Sequence, residues 1–247
     1  MSGHSKWANI KRKKEATDGA KAKVFTKIGR EMTVCVKEGG ADPNNNSKLR
    51  DLIAKAKANN VPNDNIDRII KKASGDGDKN TYEILVYEGY GPCGIAVIIE
   101  CLTDNKNRTA GDVRHYFDKF GGNLGTTGCV SFMFSQKGVL VLSYNGQDED
   151  KVMEDCFEAG ASDFNIDGDV IEVTCEPADV SSAREALSKL GYTVLSAEVE
   201  QIPATYTKLE DEDAIKKMNL LLEHLEDNDD VQNVYHNWDM PEDEDEE

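Results

Sequence analysis

The sequence predicts an α+β protein of three domains: an N-terminal helical domain, a discontinuous α/β middle domain, and a ferredoxin-like βαββαβ domain inserted into it. Three observations lead there. Apolar residues recur at helical spacing as far as Ala73, and they change to strand-like runs beyond the linker Ser74-Gly75-Asp76-Gly77-Asp78. Residues 137–204 then complete a β-α-β-β-α-β order that leaves a helix and a strand over at the end.

Within the helical domain (1–77), Val24, Phe25, Ile28, Met32, Cys35 and Val36 fall on one side of a helical wheel, with only Val34 on the wrong face. Lys23, Lys27, Arg30 and Lys37 fall on the opposite side, a row of cations for solvent or for phosphates. Gly39-Gly40 ends this helix. A second follows Asn44-Asn45-Asn46-Ser47 with Leu49, Leu52, Ile53 and Ala56 at core spacing, and stops before Val61-Pro62. A third places Ile66, Ile69, Ile70 and Ala73 alike.

The middle domain (78–136 plus 205–240) starts with strand-like runs at 82–88 and 95–102 around the turn Gly89-Tyr90-Gly91-Pro92. A helix starting near Thr109 carries Val113, Tyr116, Phe117 and Phe120 on one face and ends at Gly121-Gly122. The alternation of Val130, Phe132 and Phe134 with Cys129, Ser131 and Met133 predicts a further strand. In the inserted domain (137–204), strands at 139–142, near Phe164, at 170–175 and at 193–199 alternate with helices carrying Val152, Cys156 and Phe157, and Val180, Ala183, Leu187 and Leu190. Asp167-Gly168 marks the hairpin. An RNA-recognition domain shares this order but stacks bases on aromatics of its central strands. Residues 170–175 have none, so the unit reads as a scaffold or protein-docking surface. The leftover helix (Ile215, Met218, Leu222, Leu225) and the strand at 231–238 return to the earlier sheet, and 241–247 is an acidic tail.

Charge separates the chain into two objects. Residues 1–72 hold 17 Lys+Arg against 8 Asp+Glu, a net of +9, whereas the whole chain is at -18, which leaves -27 for the remainder. An acidic body repels polyanions, so a nucleic acid approaches from the basic side only. The extreme end, Gly3-His4-Ser5-Lys6-Trp7-Ala8-Asn9-Ile10-Lys11-Arg12-Lys13-Lys14, sets one large aromatic among cations. Trp7 offers stacking, while Lys6, Lys11, Arg12, Lys13 and Lys14 neutralise phosphates and release counterions. A charge block is ordinarily a solvated tail, but a tail has no use for Trp7 and Ile10.

Other chemistry is weak. Gly121-Gly122-Asn123-Leu124-Gly125-Thr126-Thr127-Gly128 lacks the Lys-Ser/Thr ending of a phosphate loop and follows a helix instead of opening one, so it reads as a structural turn. His4, His115, His224 and His236 never stand at metal-ligand spacing, and pairs such as Asp104 and Asp112 arise by chance among 47 carboxylates. No nucleophile elbow or catalytic cysteine signature occurs. These readings predict a protein that is not an enzyme and has no metal or cofactor. The turn Asp104-Asn105-Lys106-Asn107-Arg108-Thr109 is turn and N-cap chemistry, and Arg108 and Arg114 either extend the basic surface or pair internally. Six scattered cysteines without a C-x-x-C pair read as reduced residues of a cytosolic chain, and no apolar run reaches the roughly 18 to 20 residues of a membrane span.

The motifs Gly3-His4-Ser5-Lys6-Trp7-Ala8-Asn9-Ile10-Lys11, Phe25-Thr26-Lys27, Lys37-Glu38-Gly39-Gly40, Tyr87-Glu88-Gly89-Tyr90-Gly91-Pro92, Leu102-Thr103-Asp104-Asn105 with Asn107-Arg108-Thr109, and Gly121-Gly122-Asn123-Leu124-Gly125 closely resemble the YebC family. They run in order from residue 2 to about residue 138. The resemblance implies a three-domain cytoplasmic protein with a helical N-terminal domain, two α/β domains and no known catalytic activity. Bacterial members are commonly labelled probable transcriptional regulators that bind promoter DNA. Other members look like translation factors: mitochondrial relatives activate synthesis of a cytochrome oxidase subunit, and bacterial relatives act on ribosomes stalled at proline-rich stretches. Cys93 stands where the family usually carries Gly or another small residue, and Ser2 where it usually carries Ala, which touches local turn geometry and not the basic head. The expected partner is a nucleic acid, promoter DNA or rRNA within the ribosome, with no membrane and no small-molecule substrate.

Overall fold

The computed structural model describes residues 18–75 and 81–240. The described helices are α1 (Asp18–Gly39), α2 (Ser47–Ala58), α3 (Asn63–Ala73), α4 (Lys106–Lys119), α5 (Glu149–Glu158), α6 (Val180–Lys189) and α7 (Glu212–Asp227). The strands are β1 (Glu83–Tyr90), β2 (Ala96–Thr103), β3 (Asn123–Leu124), β4 (Phe134–Ser143), β5 (Asp163–Asp167), β6 (Val170–Cys175), β7 (Val194–Pro203), β8 (Thr207–Lys208), β9 (Val231–His236) and β10 (Trp238–Asp239). They belong to two compact units, Ala16–Phe132 with Leu209–Asn237, and Met133–Lys208 with the segment starting at Trp238.

In the first unit, the apolar stripe of α1 meets those of α2 and α3 as the spacing predicts. Ile28, Met32, Cys35 and Val36 pack with Leu49, Leu52, Ala56, Ile66 and Ala73 in one buried cluster. Each large side chain removed from water contributes about 1.5–3 kcal/mol. Asn46 fixes the angle between the first two helices. Its Oδ1 accepts from Leu49 N (3.1 Å) as the α2 N-cap, and its Nδ2 donates to Cys35 O (3.1 Å) and Gly40 O (2.9 Å).

The same unit holds an antiparallel sheet of order β3-β1-β2-β9, against which α4 and α7 pack. β2 is buried on both faces, so it reads as a continuous apolar run, 95–102, and not as an alternation. The leftover strand pairs where the sequence placed it: Ile98 opposite Tyr235 and Ile99 opposite Val234. It ends at Asn237, which exchanges hydrogen bonds with Ala96 through Oδ1 (2.8 Å) and its own N–H (3.2 Å). The chain then leaves this sheet, and Trp238–Asp239 pairs in parallel with Thr207–Lys208 in the second unit.

One expected strand is not there. Residues 129–134 alternate in sequence, yet Ser131–Met133 is a short 3-10 turn, and the strand begins only at Phe134. The cause is Glu88, whose buried carboxylate accepts from the N–H groups of Gly128 (2.7 Å), Val130 (2.9 Å) and Ser131 (2.8 Å). Those donors would serve a ladder in a strand, and here they wrap around one side chain. The glycine-rich segment before it is a structural turn. Gly121 has φ +80°, and a Cβ on Gly122 would stand 2.6 Å from the Tyr90 carbonyl.

The second unit is the ferredoxin-like arrangement, with antiparallel strand order β5-β6-β4-β7. Leu140, Leu142, Ile171 and Val173 from the central strands pack with Val152 and Cys156 of α5 and with Ala183 and Leu187 of α6. Gly168, at φ +59°, turns the β5–β6 hairpin.

Glu88 yields a test. Burial pushes its carboxyl up, but the three backbone donors outweigh it and hold the group below the ordinary value of 4.5. Its contribution is therefore present above pH 4.5 and lost as pH falls through the lower folded value. Glu88→Gln turns one acceptor into a donor facing an N–H, and should cost about 3 kcal/mol in urea unfolding at pH 7. The gap to wild type should close as the solution is acidified.

Candidate nucleic-acid interface

The cation row of α1 has an occupant in the folded chain. Lys23 Nζ pairs with Asp227 Oδ1 at 2.7 Å, and Lys27 Nζ donates to the Glu226 carbonyl at 2.7 Å. Arg30 Nη1 donates to the Asp229 carbonyl (2.7 Å), to Asp230 Oδ1 (2.6 Å) and to the Leu102 carbonyl (3.3 Å). Spacing of i, i+4 and i+7 puts these three cations along one line of α1. The acidic run Glu226-Asp227-Asn228-Asp229-Asp230 lies along that line, where the carbonyls closing α7 add the negative end of its dipole. Solvent or phosphate was expected there; the helical domain instead uses these cations to dock on the middle domain.

Asp230 is the centre of that docking. Its side chain is 4% exposed. Besides Arg30, it accepts from Arg108 Nη2 (2.7 Å) and Nε (3.2 Å) and from the hydroxyls of Thr109 (2.8 Å) and Thr103 (3.2 Å). Burial pushes the Asp230 carboxyl up, and Arg108, Arg30 and Thr109 pull it further down, leaving it below 3.8. Arg108 also donates to Asp104 Oδ1 at 2.9 Å. The two readings left open for Arg108 thus resolve to internal pairing. Asn105 caps α4, accepting from Arg108 N at 3.1 Å, as the turn chemistry predicts. Asp104 and Asp112, weighed as a chance pair, have partners of their own: Arg108 for the first and Asn228 Nδ2, at 3.5 Å, for the second.

Of the other sequence candidates, Lys37 is exposed in the last turn of α1 and Arg114 is exposed on α4. Lys6, Trp7, Lys11, Arg12, Lys13 and Lys14 lie outside the described residues. The histidine at 224 is a packing residue, with its ring edge-on to Phe120 (4.7 Å) and Tyr116 (5.7 Å). Among the described residues, no three His, Cys, Asp or Glu side chains gather as metal ligands, and no helix is long and apolar enough to cross a membrane.

Sequence reasoning passed over the exposed cations of α2 and α3: Lys48, Arg50, Lys57, Arg68, Lys71 and Lys72. Their signal was present, since each lies off the apolar stripes of its helix. Asp230 was hidden as one carboxylate among 47. The match between three evenly spaced cations and a single acidic run is the pattern that would have found it.

Two family models cover the chain: "TACO1/YebC protein N-terminal domain" matches residues 5–76, and "TACO1/YebC second and third domain" matches residues 82–238. A protein of Ruminiclostridium cellulolyticum named "Probable transcriptional regulatory protein" is 59% identical over 248 residues, covering 100% of both chains. One of the same name from Acetivibrio thermocellus is 59% identical over 96% of this chain and 99% of its own. The crystal structure of a conserved hypothetical protein from Aquifex aeolicus superposes with a TM-score of 0.83 at 38% identity, covering 93% of this chain and 95% of that one.

Asp230→Asn should destabilise the unit by about 3 kcal/mol at pH 7, the low end for a broken buried pair because Arg108 is 45% exposed. The carboxylate's contribution is present above pH 3.8 and lost as pH falls through its lower folded value, so denaturant midpoints of wild type and variant should converge there.

Proposed function

The chain belongs to the YebC/TACO1 family, and from that premise we propose that it is a nucleic-acid-binding regulator of gene expression that works by binding and not by catalysis. The observation that carries this reading is the charge division, +9 over residues 1–72 against -27 over the rest. On this reading residues 1–77 are the binding domain. The middle domain, 78–136 plus 205–240, holds that domain in place through Asp230, and the ferredoxin-like domain, 137–204, presents a surface for proteins. The acidic domains keep a polyanion from approaching on any other side. Both targets considered below lie in the cytoplasm, where we place the protein.

The relatives' name, probable transcriptional regulatory protein, is consistent with a nucleic-acid target in general, and the first reading takes that target to be promoter DNA. A second reading, rRNA within the ribosome, is favoured by α3. Its exposed Asp64 and Asp67 stand one turn before Arg68 and Lys71, on the same sides of the helix, and carboxylates on a helix oppose its entry into a groove walled by phosphates. A surface that reads backbone shape has no need of such entry. Sedimentation with ribosomes through a sucrose gradient, run beside a gel shift on duplex DNA at physiological salt, separates the two. Binding to neither overturns the proposal.

The arm supplies two sharper expectations. Each lost phosphate contact should lower the slope of log K against log salt by roughly 0.7 to 0.9, so changing Lys11, Arg12, Lys13 and Lys14 to Ala should flatten it stepwise and leave the melting temperature unchanged. Trp7→Ala should cost about 1–3 kcal/mol of binding with the slope unaltered, because stacking releases no counterions. A drop in melting temperature without that loss would make Trp7 a packing residue.

A further inference from the structure

Lys23 and Arg30 of α1 are paired with Asp227 and Asp230, whereas the exposed cations Lys48, Arg50, Lys57, Arg68, Lys71 and Lys72 of α2 and α3 mark a side on which a nucleic acid can meet the helical domain. One cleft there has the chemistry of a base-accepting site. It lies in the seam between α1 and α3, about 240 Å3 in volume, lined by Phe25, Thr26, Val61, Asn65, Arg68 and Ile69. That is smaller than the roughly 300–1,000 Å3 of a drug-sized site and of the order that a single planar ring fills.

The seam is set by Gly29. A Cβ there would stand 3.2 Å from Ile69 Cδ1, so the two helices close at that point and open one turn earlier on α1, at Phe25 and Thr26. Phe25, Val61 and Ile69 supply an apolar floor that packs on the domain core. Polar groups edge it. Arg68 Nη2 donates to Asn65 Oδ1 at 2.8 Å, which leaves further guanidinium N–H groups and the Asn65 amide as donors. Thr26 Oγ1 donates to Ala22 O at 3.1 Å and keeps its lone pairs as acceptors. Asn65, Arg68, Ile69 and Lys72 recur at i, i+3, i+4 and i+7, so Lys72 continues the cleft's edge with a cation one turn on.

The geometry points to this cleft as a receptor for one unpaired nucleobase of a single-stranded nucleic acid. The ring lies on Phe25 and Ile69, its hydrogen-bonding edge faces Asn65 and Thr26, and the flanking phosphates meet Arg68 and Lys72. A paired base cannot enter, since its edge is occupied and its face is stacked. The inference rests on the nucleic-acid reading above and adds to it a preference for single strands. RNA and DNA share the base and differ in the 2′-hydroxyl, so the test includes both.

The experiment uses the full chain and three probes: a single-stranded RNA, the single-stranded DNA of the same sequence, and the DNA duplex, each with one 2-aminopurine. Affinity is read by anisotropy and base environment by 2-aminopurine emission. Emission should change on binding of at least one single strand and stay constant with the duplex. Asn65→Ala should lower the single-strand to duplex affinity ratio about tenfold, and Phe25→Leu, which keeps the floor apolar, should abolish the emission change. An emission change with RNA alone assigns an RNA site, and one with both strands a site for the base itself. The inference fails if Asn65→Ala leaves the ratio unchanged or if emission is constant throughout. Binding of none of the probes is the different outcome that overturns the nucleic-acid reading itself.

Discussion

Asp230 joins three stretches of chain that are far apart in sequence: α1 through Arg30, the end of β2 and start of α4 through Thr103, Arg108 and Thr109, and its own turn between α7 and β9. A buried carboxylate is costly to desolvate, and only a full set of donors makes the site tolerable. The donors therefore have to arrive together. This links the orientation of the helical domain to the integrity of the middle sheet, since Arg30 from the one and Thr103, Arg108 and Thr109 from the other satisfy the same buried carboxylate.

That arrangement changes how the basic head is understood. Counted along the sequence, its cations form one pool. In the folded chain they divide by role. Lys23 and Arg30 of α1 pair with Asp227 and Asp230 and Lys27 donates to the Glu226 carbonyl; Lys55 of α2 pairs with Glu31, whereas Lys48, Lys57, Arg68, Lys71 and Lys72 are exposed. Among the described residues, the exposed positive charge of the helical domain thus sits mainly on α2 and α3. Opposite charges, the α1 cations against the acidic run 226–230, join the helical domain to the turn after α7.

Much of the fold was legible because apolar spacing is a local signal. The stripes of α1, α2 and α3, the ferredoxin-like order and the return of β9 to β2 all follow from periodicity and turn residues. The failure at residues 129–134 is instructive. Alternation records which side chains could lie on opposite faces, but it says nothing of where backbone N–H groups find acceptors. Glu88, forty residues upstream, takes three of them. The site shows the same limit. Charge composition located the basic domain, but which of its cations were already paired depended on Asp230, 200 positions from Arg30. The cleft beside Phe25 needed the crossing of α1 and α3 at Gly29, which no single segment encodes.

The topology also sets an order of assembly during synthesis. The helical domain has its whole core by Ala73, and the inserted ferredoxin-like domain is complete once β7 has been made. The middle sheet is not: β2 waits for β9, which is translated only after the insertion, and Arg30 waits for Asp230. At roughly 5–20 residues per second, the stretch from Ala73 to Asp230 takes about 8 to 31 s to make, an interval in which Arg30 has no Asp230 to pair with and the α1 cations stand without the acidic run that later covers them.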